Sequence, residues 1–230
     1  MTAKKIFFLP FFLILCTLAF CQQSGNKNAA KQEAHYVKIE TDFGTMVVQL
    51  FNETPRHRDN FLKLVGEGFY DDLLFHRVIR GFMIQGGDPT SKNARPGVPL
   101  GAGNLGYTVA AEFNPELIHR KGALAAARQG DNVNPSKASS ASQFYIVQGN
   151  VWDERGLQMI EQRFGRKLTD KQRQIYSTIG GAPHLDGDYT VFGQVVEGLD
   201  VIDKIAAVQC GVGDRPIKDI KMKISVVKSN

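Results

Sequence analysis

Two apolar runs, residues 73–79 and 82–86, meet at Gly81 and close on the turn Gly86-Gly87-Asp88. This segment narrows the available folds more than any other. Strand-forming residues on either side of a glycine bend make an antiparallel pair. A period of two sends Arg77 and Ile79 to one face and puts Phe82 and Ile84 on a shared side. A cation (Arg77), two large apolar side chains (Phe82, Met83) and an amide (Gln85) thus fall within nine residues. No carboxylate is expected beside the cation to neutralise it.

The rest of the chain also reads as mostly β. Residues 37–41 and 45–51 alternate around the hairpin turn Asp42-Phe43-Gly44, and further strands are expected at 122–127, 142–148, 189–196 and 217–227. Thr54-Pro55 opens a helix with the stripe Phe61, Leu62 and Val65, ended by Gly66-Glu67-Gly68, and residues 200–208 form a second helix carrying Val201, Ile202 and Ile205. Many antiparallel strands with two helices suggest a closed barrel with helical caps. Residues 151–183 stand apart. Two short helices, at 152–164 and 168–179, carry the stripes Leu157-Ile160-Phe164 and Ile175-Tyr176-Ile179. The second helix opens on a Thr169-to-Gln172 capping box and stops at Gly180-Gly181.

Charge and cysteine content exclude several functions. The net charge is +5, with Lys4 and Lys5 in a segment, residues 1–20, that holds no acid. The remaining basic residues are dispersed, which argues against a nucleic-acid partner. The five histidines lack metal-ligand spacing, so no metal or other cofactor is expected. Gly101-Ala-Gly103-Asn-Leu-Gly106 matches a dinucleotide pattern literally but follows prolines instead of a strand, so it reads as a surface loop. Lys4-Lys5 followed by the uncharged stretch 6–20 has the form of a secretory signal, too short for a membrane span. The polar residues 22–35 suit a flexible tether. Cys210 is then the sole cysteine of the folded part and is expected to be a small buried apolar residue.

Three stretches carry a resemblance. Phe75-His-Arg-Val-Ile-Arg-Gly-Phe-Met-Ile-Gln-Gly-Gly-Asp88 is similar to the signature of the cyclophilin-type peptidyl-prolyl isomerases. Gly122-Ala-Leu-Ala-Ala-Ala-Arg128 leading to Ser142-Gln-Phe-Tyr-Ile-Val147, and then Leu185-Asp-Gly-Asp-Tyr-Thr-Val-Phe-Gly193, resemble the family's remaining pocket-forming stretches in order. The resemblance covers about residues 36–228. It implies a mainly β domain, a closed eight-stranded antiparallel barrel capped by two helices. Residues 151–183 would be an inserted helical hairpin, because the corresponding connection in compact members is far shorter. That hairpin is expected to decorate the barrel, or to act as a lid or partner-docking element.

The resemblance also implies the site. Arg77, Phe82 and Gln85 would be catalytic, with Arg77 supplying the guanidinium. Phe82, Met83, Tyr145 and Leu185 would form a proline socket, and Ala127, Arg128 and Gln143 would line the adjoining peptide groove. His184 and Tyr189 complete the set at positions where many members carry other aromatic residues. Tyr145 likewise stands where many have phenylalanine, which would add a hydroxyl to the socket rim. The implied activity is isomerisation of X-Pro bonds in proline-containing polypeptides during the folding of exported proteins, by a monomer without a cofactor. The alternative is a proline-peptide binding module or holdase with incidental catalysis. Leu18-Ala19-Phe20-Cys21 resembles a bacterial lipoprotein cleavage site. It implies a signal peptide at 1–20, a lipidated Cys21, a tether at 21–35 and a periplasmic domain whose membrane contact is the lipid alone.

Overall fold

Alternating apolar residues make strands β1 (His35–Thr41) and β2 (Gly44–Leu50) a hairpin, with Val37, Ile39, Met46 and Val48 buried on one face. The computed structural model describes residues 1–3 and 34–227. The expected signal peptide beyond its first three residues, Cys21 and all but the last two residues of the tether lie outside the described residues. The chain divides into the units Met1–Gln32 and Glu33–Asn230, and every element below belongs to the second.

Helix α1 (Pro55–Gly66) starts with proline at its first position, where the missing N–H costs nothing, and buries Phe61, Leu64 and Val65. Its next two N–H groups, of Arg56 and His57, donate to Glu112 Oε1 and Oε2 at 3.1 and 3.0 Å. The cap is thus a carboxylate from a distant loop, favourable at the positive end of a helix. The buried His57 ring extends the tie, with Nδ1 2.7 Å from Glu112 and Nε2 2.9 Å from Ser139 Oγ.

The chain continues through β3 (Phe75–Ile79), β4 (Met83–Gly86), β5 (Thr108–Val109), β6 (Ala123–Ala126), β7 (Ser139–Ser140) and β8 (Phe144–Val147). Helices α2 (Glu154–Phe164) and α3 (Asp170–Thr178) follow, then β9 (Val191–Glu197), α4 (Leu199–Ala206) and β10 (Lys223–Val227). Eight strands form one antiparallel sheet in the order β10-β1-β2-β9-β6-β8-β4-β3, while β5 and β7 pair separately. The expected closed barrel is therefore corrected to a half-barrel sheet. The end strands β3 and β10 form no ladder. The chain just before β10 meets the chain at the start of β3 through single bonds, Phe75 N–H to Ile220 O at 2.9 Å and Met222 N–H to Leu73 O at 2.9 Å. The expected last strand is shorter for the same reason. Residues 217–222 spend their backbone groups on a loop closure and on these isolated contacts.

The sheet buries both faces. Val78, Ile84, Ile146 and Leu124 join Phe61, Tyr70, Phe144 and Phe192 in the main core under α1 and α4. The alternate residues Met83, Tyr145, Val147, Ala123, Ala125 and Val191 form a second cluster on the opposite face. Phe82 belongs to that second cluster and Ile84 to the first, so the expected shared side is wrong. Phe82 sits in the turn, its N–H donating to Ile79 O at 3.0 Å, and the strand period begins only at Met83.

The hairpin formed by α2 and α3 keeps its expected capping, but Ile179 of the expected stripe is exposed just past the end of α3. Both halves of the Thr169–Gln172 capping box are present, and Gly165 takes the left-handed conformation that ends α2. Leu157 and Tyr176 are buried with Ile118 in a small separate core. Each side chain so buried contributes about 1.5–3 kcal/mol. Arg173 of α3 bridges Glu154 and Glu161 of α2 at 2.6 and 2.5 Å.

Candidate active site

Register across the second face aligns the chemistry. Arg77 on β3 is paired with Gln85 on β4, Gln85 with Tyr145 on β8, and Tyr145 with Ala125 on β6. A cation, an amide and an aromatic ring therefore stand side by side on one face, although 68 residues separate the first from the last. They border a cleft of 620 Å³ whose lining also includes Phe82, Met83, Ala127, Arg128, Leu185 and Tyr189. An adjoining cleft of 670 Å³ shares Gln85, Ala127 and Arg128 and adds Gln143. The structure thus brings together ten of the eleven expected pocket residues.

His184 is the exception. It lines neither cleft. Its ring lies 5.4 Å from that of Phe82 and 6.3 Å from that of Phe164 at the end of α2, so it backs the cleft wall. Burial holds its pKa below the ordinary histidine value, so at neutral pH it offers an uncharged aromatic face. Arg128 is also less free than expected. Its guanidinium lies 4.4 Å over the Tyr189 ring and donates to Asp188 O at 2.7 Å and to Asp131 at 2.6 Å. It therefore builds the wall between the two clefts.

Arg77 is held by a hydrogen-bonded series. Its Nη1 donates to Gln85 Oε1 at 3.4 Å, Gln85 Nε2 donates to Gln143 Oε1 at 3.1 Å, and Gln143 Nε2 donates to Gly101 O and Gly103 O at 3.0 and 2.8 Å. The glycine-rich loop thus has a purpose beyond lying at the surface. Gly101 and Ala102 line the cleft, and a side chain at Gly103 would collide with the buried Asp88 carboxylate. Asp88 in turn accepts from the Gly101 and Thr90 N–H groups.

The expectation of an unneutralised cation fails. Arg77 Nε lies 3.4 Å from Asp214 Oδ2, with both side chains nearly half-exposed. Asp214 ends the short 3-10 turn Val212–Asp214, in a loop closed by Gly211 N–H to Arg215 O at 2.8 Å and Ile217 N–H to Gln209 O at 3.0 Å. It was missed because 137 residues separate it from Arg77 and a lone aspartate after Gly213 reads as turn chemistry. Cys210 in this loop is exposed, contrary to the buried place expected of it, and its Sγ lies 3.5 Å from Val78 O.

The Tyr145 hydroxyl does not decorate the cleft rim. It is buried, lies 3.0 Å from His119 Nε2, and is kept neutral by burial, which raises its pKa well above the usual tyrosine value. Chemically, the arrangement is an apolar recess with one directed guanidinium at its edge.

Comparison with known proteins agrees with this geometry. Residues 36–227 match the model of the family described as cyclophilin type peptidyl-prolyl cis-trans isomerase. A Staphylococcus haemolyticus protein named "Putative peptidyl-prolyl cis-trans isomerase" is 35% identical over 185 residues, covering 80% of this chain and 86% of that one. A Streptococcus pyogenes protein named "Putative bifunctional phosphatase/peptidyl-prolyl cis-trans isomerase" is 38% identical over 188 residues, and the matched part spans only 37% of its length. Among solved structures, a cyclophilin type peptidyl-prolyl cis-trans isomerase of Cryptosporidium parvum superposes with a TM-score of 0.62 at 25% identity, covering 86% of this chain and all of that one. The same parasite protein has also been crystallised in the presence of the dipeptide Ala-Pro, with a TM-score of 0.60.

Proposed function

Because this chain belongs to the cyclophilin-type peptidyl-prolyl cis-trans isomerases, an enzyme family, we propose that it turns X-Pro bonds by holding the twisted amide against Arg77 over the apolar recess. The planar amide resists rotation by about 18–20 kcal/mol, because the nitrogen lone pair is delocalised into the carbonyl. Twisting localises that lone pair on the prolyl nitrogen. A guanidinium aimed there stabilises the twisted state more than the planar one, which is what catalysis requires. The proline ring would seat among Phe82, Met83, Tyr145 and Leu185 while the carbonyl side swings past Arg77. Residues before the proline would run into the adjoining cleft beside Gln143 and Ala127, with Tyr189 on the other wall. The observation that carries this reading is the tie from Arg77 through Gln85 to Gln143. It fixes the plane of the guanidinium at the edge of the recess. Exchange NMR on a short X-Pro peptide tests it. Peptide binding by a folded protein without acceleration would transfer the site to the alternative reading, a proline-peptide binding module or holdase.

Asp214 modifies this picture. A carboxylate beside Nε draws the guanidinium toward the solvent side and weakens its field at the substrate. Replacing Asp214 with Asn should raise kcat/KM by up to about fivefold at low ionic strength, since an exposed pair is worth roughly 0–1 kcal/mol. The gain should shrink in salt. A loss of activity in that variant would mean that Asp214 holds Arg77 in its working orientation.

For cellular setting, we infer a monomer that is exported and tethered in the periplasm through lipid on Cys21, where it would act on proline-containing segments of exported proteins. The support is the Lys4-Lys5 head, the uncharged stretch to Phe20 and the Leu18-to-Cys21 motif. Cells fed a labelled fatty acid should label the wild-type chain and leave Cys21→Ala unlabelled and soluble. Equal labelling of both would remove the anchor from the account.

A further inference from the structure

Beneath the cleft runs a buried polar chain that the isomerase reading leaves unused. Tyr176 on α3 donates its hydroxyl to Asp186 Oδ2 at 2.6 Å. Asp186 Oδ1 lies 2.8 Å from His119 Nδ1 and 2.9 Å from the His119 backbone nitrogen, which donates to it. His119 Nε2 lies 3.0 Å from the Tyr145 hydroxyl. Tyr176, His119 and Tyr145 are 0%, 1% and 4% exposed, and the Asp186 side chain between them is 15% exposed, so the line is largely shielded from water. An ionised carboxylate only accepts, so Asp186 places the histidine proton on Nδ1. In that tautomer Nε2 is left to accept from the Tyr145 hydroxyl. The two tyrosine hydroxyls thus donate inward, Tyr176 to Asp186 and Tyr145 to His119, and His119 donates to Asp186 between them.

Geometry couples this line to the cleft. The His119 ring stacks on Tyr145 at 6.0 Å and 13°, and Tyr189 meets Tyr145 edge-on at 6.0 Å. One end of the line is thus a wall of the cleft, beside Gln85 in register. The other end lies in the small core of the α2–α3 hairpin. The backbone follows the same route, since Ala182 N–H, on the return from α3, donates to His119 O at 2.8 Å.

We propose that Tyr176, Asp186, His119 and Tyr145 form a positioning relay through which helix α3 sets the plane of the Tyr145 wall, so that the hairpin tunes turnover without touching substrate. The proposal rests on the isomerase reading of the cleft. A wall that is free to tilt holds the planar and twisted amides about equally. A wall fixed in one plane discriminates between them, so the relay acts on kcat more than on KM.

The test is a double-mutant cycle on the full chain, with Tyr176→Phe, Tyr145→Phe and the pair. Tyr176→Phe alone should lower kcat by about three- to tenfold, the scale of one lost hydrogen bond of ordinary net strength, with KM within about twofold. In the Tyr145→Phe background the same change should have no further effect, because the line is already cut. Equal factors in both backgrounds, or no effect of Tyr176→Phe in the parent, would overturn the relay. The ¹⁵N resonances of the His119 ring supply a second readout. Nε2 should move in Tyr145→Phe, Nδ1 in Tyr176→Phe, and both on saturating the unmutated protein with an Ala-Pro peptide. Unmoved ring resonances in the saturated parent overturn the proposal even if a variant fails to fold. A parent that neither binds nor isomerises the peptide would count against the isomerase reading, while the ring resonances of the two variants would still decide whether the line is connected.

Discussion

Arg77→Ala should lower kcat/KM for an X-Pro peptide by about 10²–10³-fold, the loss typical when a group directed at transition-state charge is removed. The change does more than delete a cation. It also leaves the half-exposed Asp214 carboxylate without its cationic partner, so the field near the recess turns from positive to weakly negative. Lysine should restore little, because a point charge on a flexible stem cannot donate to Gln85 and aim at the substrate in one fixed plane. Stability should stay within about 0.5 kcal/mol, since the side chain is 41% exposed and joins the Gln85–Gln143 series only at its outer end, through one 3.4 Å bond. Exchange NMR of the peptide and a urea titration of the same sample separate the two effects. A fall of less than tenfold in a stably folded variant would show that the recess alone does most of the work.

Phe144→Ala should cost about 3–5 kcal/mol of folding stability, the range for truncating a large buried aromatic. Phe144 is 1% exposed and meets Phe61 and Tyr70 at ring distances of 5.6 Å and Phe75 at 6.2 Å, each edge-on. Three elements therefore lose a shared partner at once, and edge-on aromatic pairs add about 0.5–1.5 kcal/mol each beyond their buried area. Against a total of roughly 5–15 kcal/mol, this places the variant near the limit of folding. Its melting temperature should fall by about 6–20 °C, at about 2–4 °C per kcal/mol for a domain of this size. Gln143 and Tyr145 flank it in the chain, so peptide affinity should weaken alongside. A loss below 1 kcal/mol would mean that the core repacks around the gap.

The residues of the site were legible through the family resemblance, and the faces of the central strands because β-alternation is local. Once β3, β4, β6 and β8 are recognised as strands, a period of two assigns their side chains to faces without reference to anything distant. Helix boundaries were legible for the same reason. Proline at the start of α1 and the capping box of α3 act within one turn. The strands β5 and β7 were not legible. At two residues each they carry no period, and only their mutual pairing makes them strands. Phe82 was placed on the wrong side because one turn residue shifts the phase of everything counted from it.

The amino-acid sequence by itself determined the longer strands, the helices and most faces of the central strands, which follow from backbone sterics and side-chain spacing over a few residues. The residues expected around a prolyl ring were implied by the family resemblance instead. Tertiary structure decided the open seam between β3 and β10, the Asp214 carboxylate on Arg77, the withdrawal of His184 behind Phe82 and the line from Tyr176 to Tyr145. Each depends on polar groups that lie far apart in the chain, and their partners are chosen by which backbone groups remain unpaired and which side chains are shut away from water. That choice is made only when the layers close on one another.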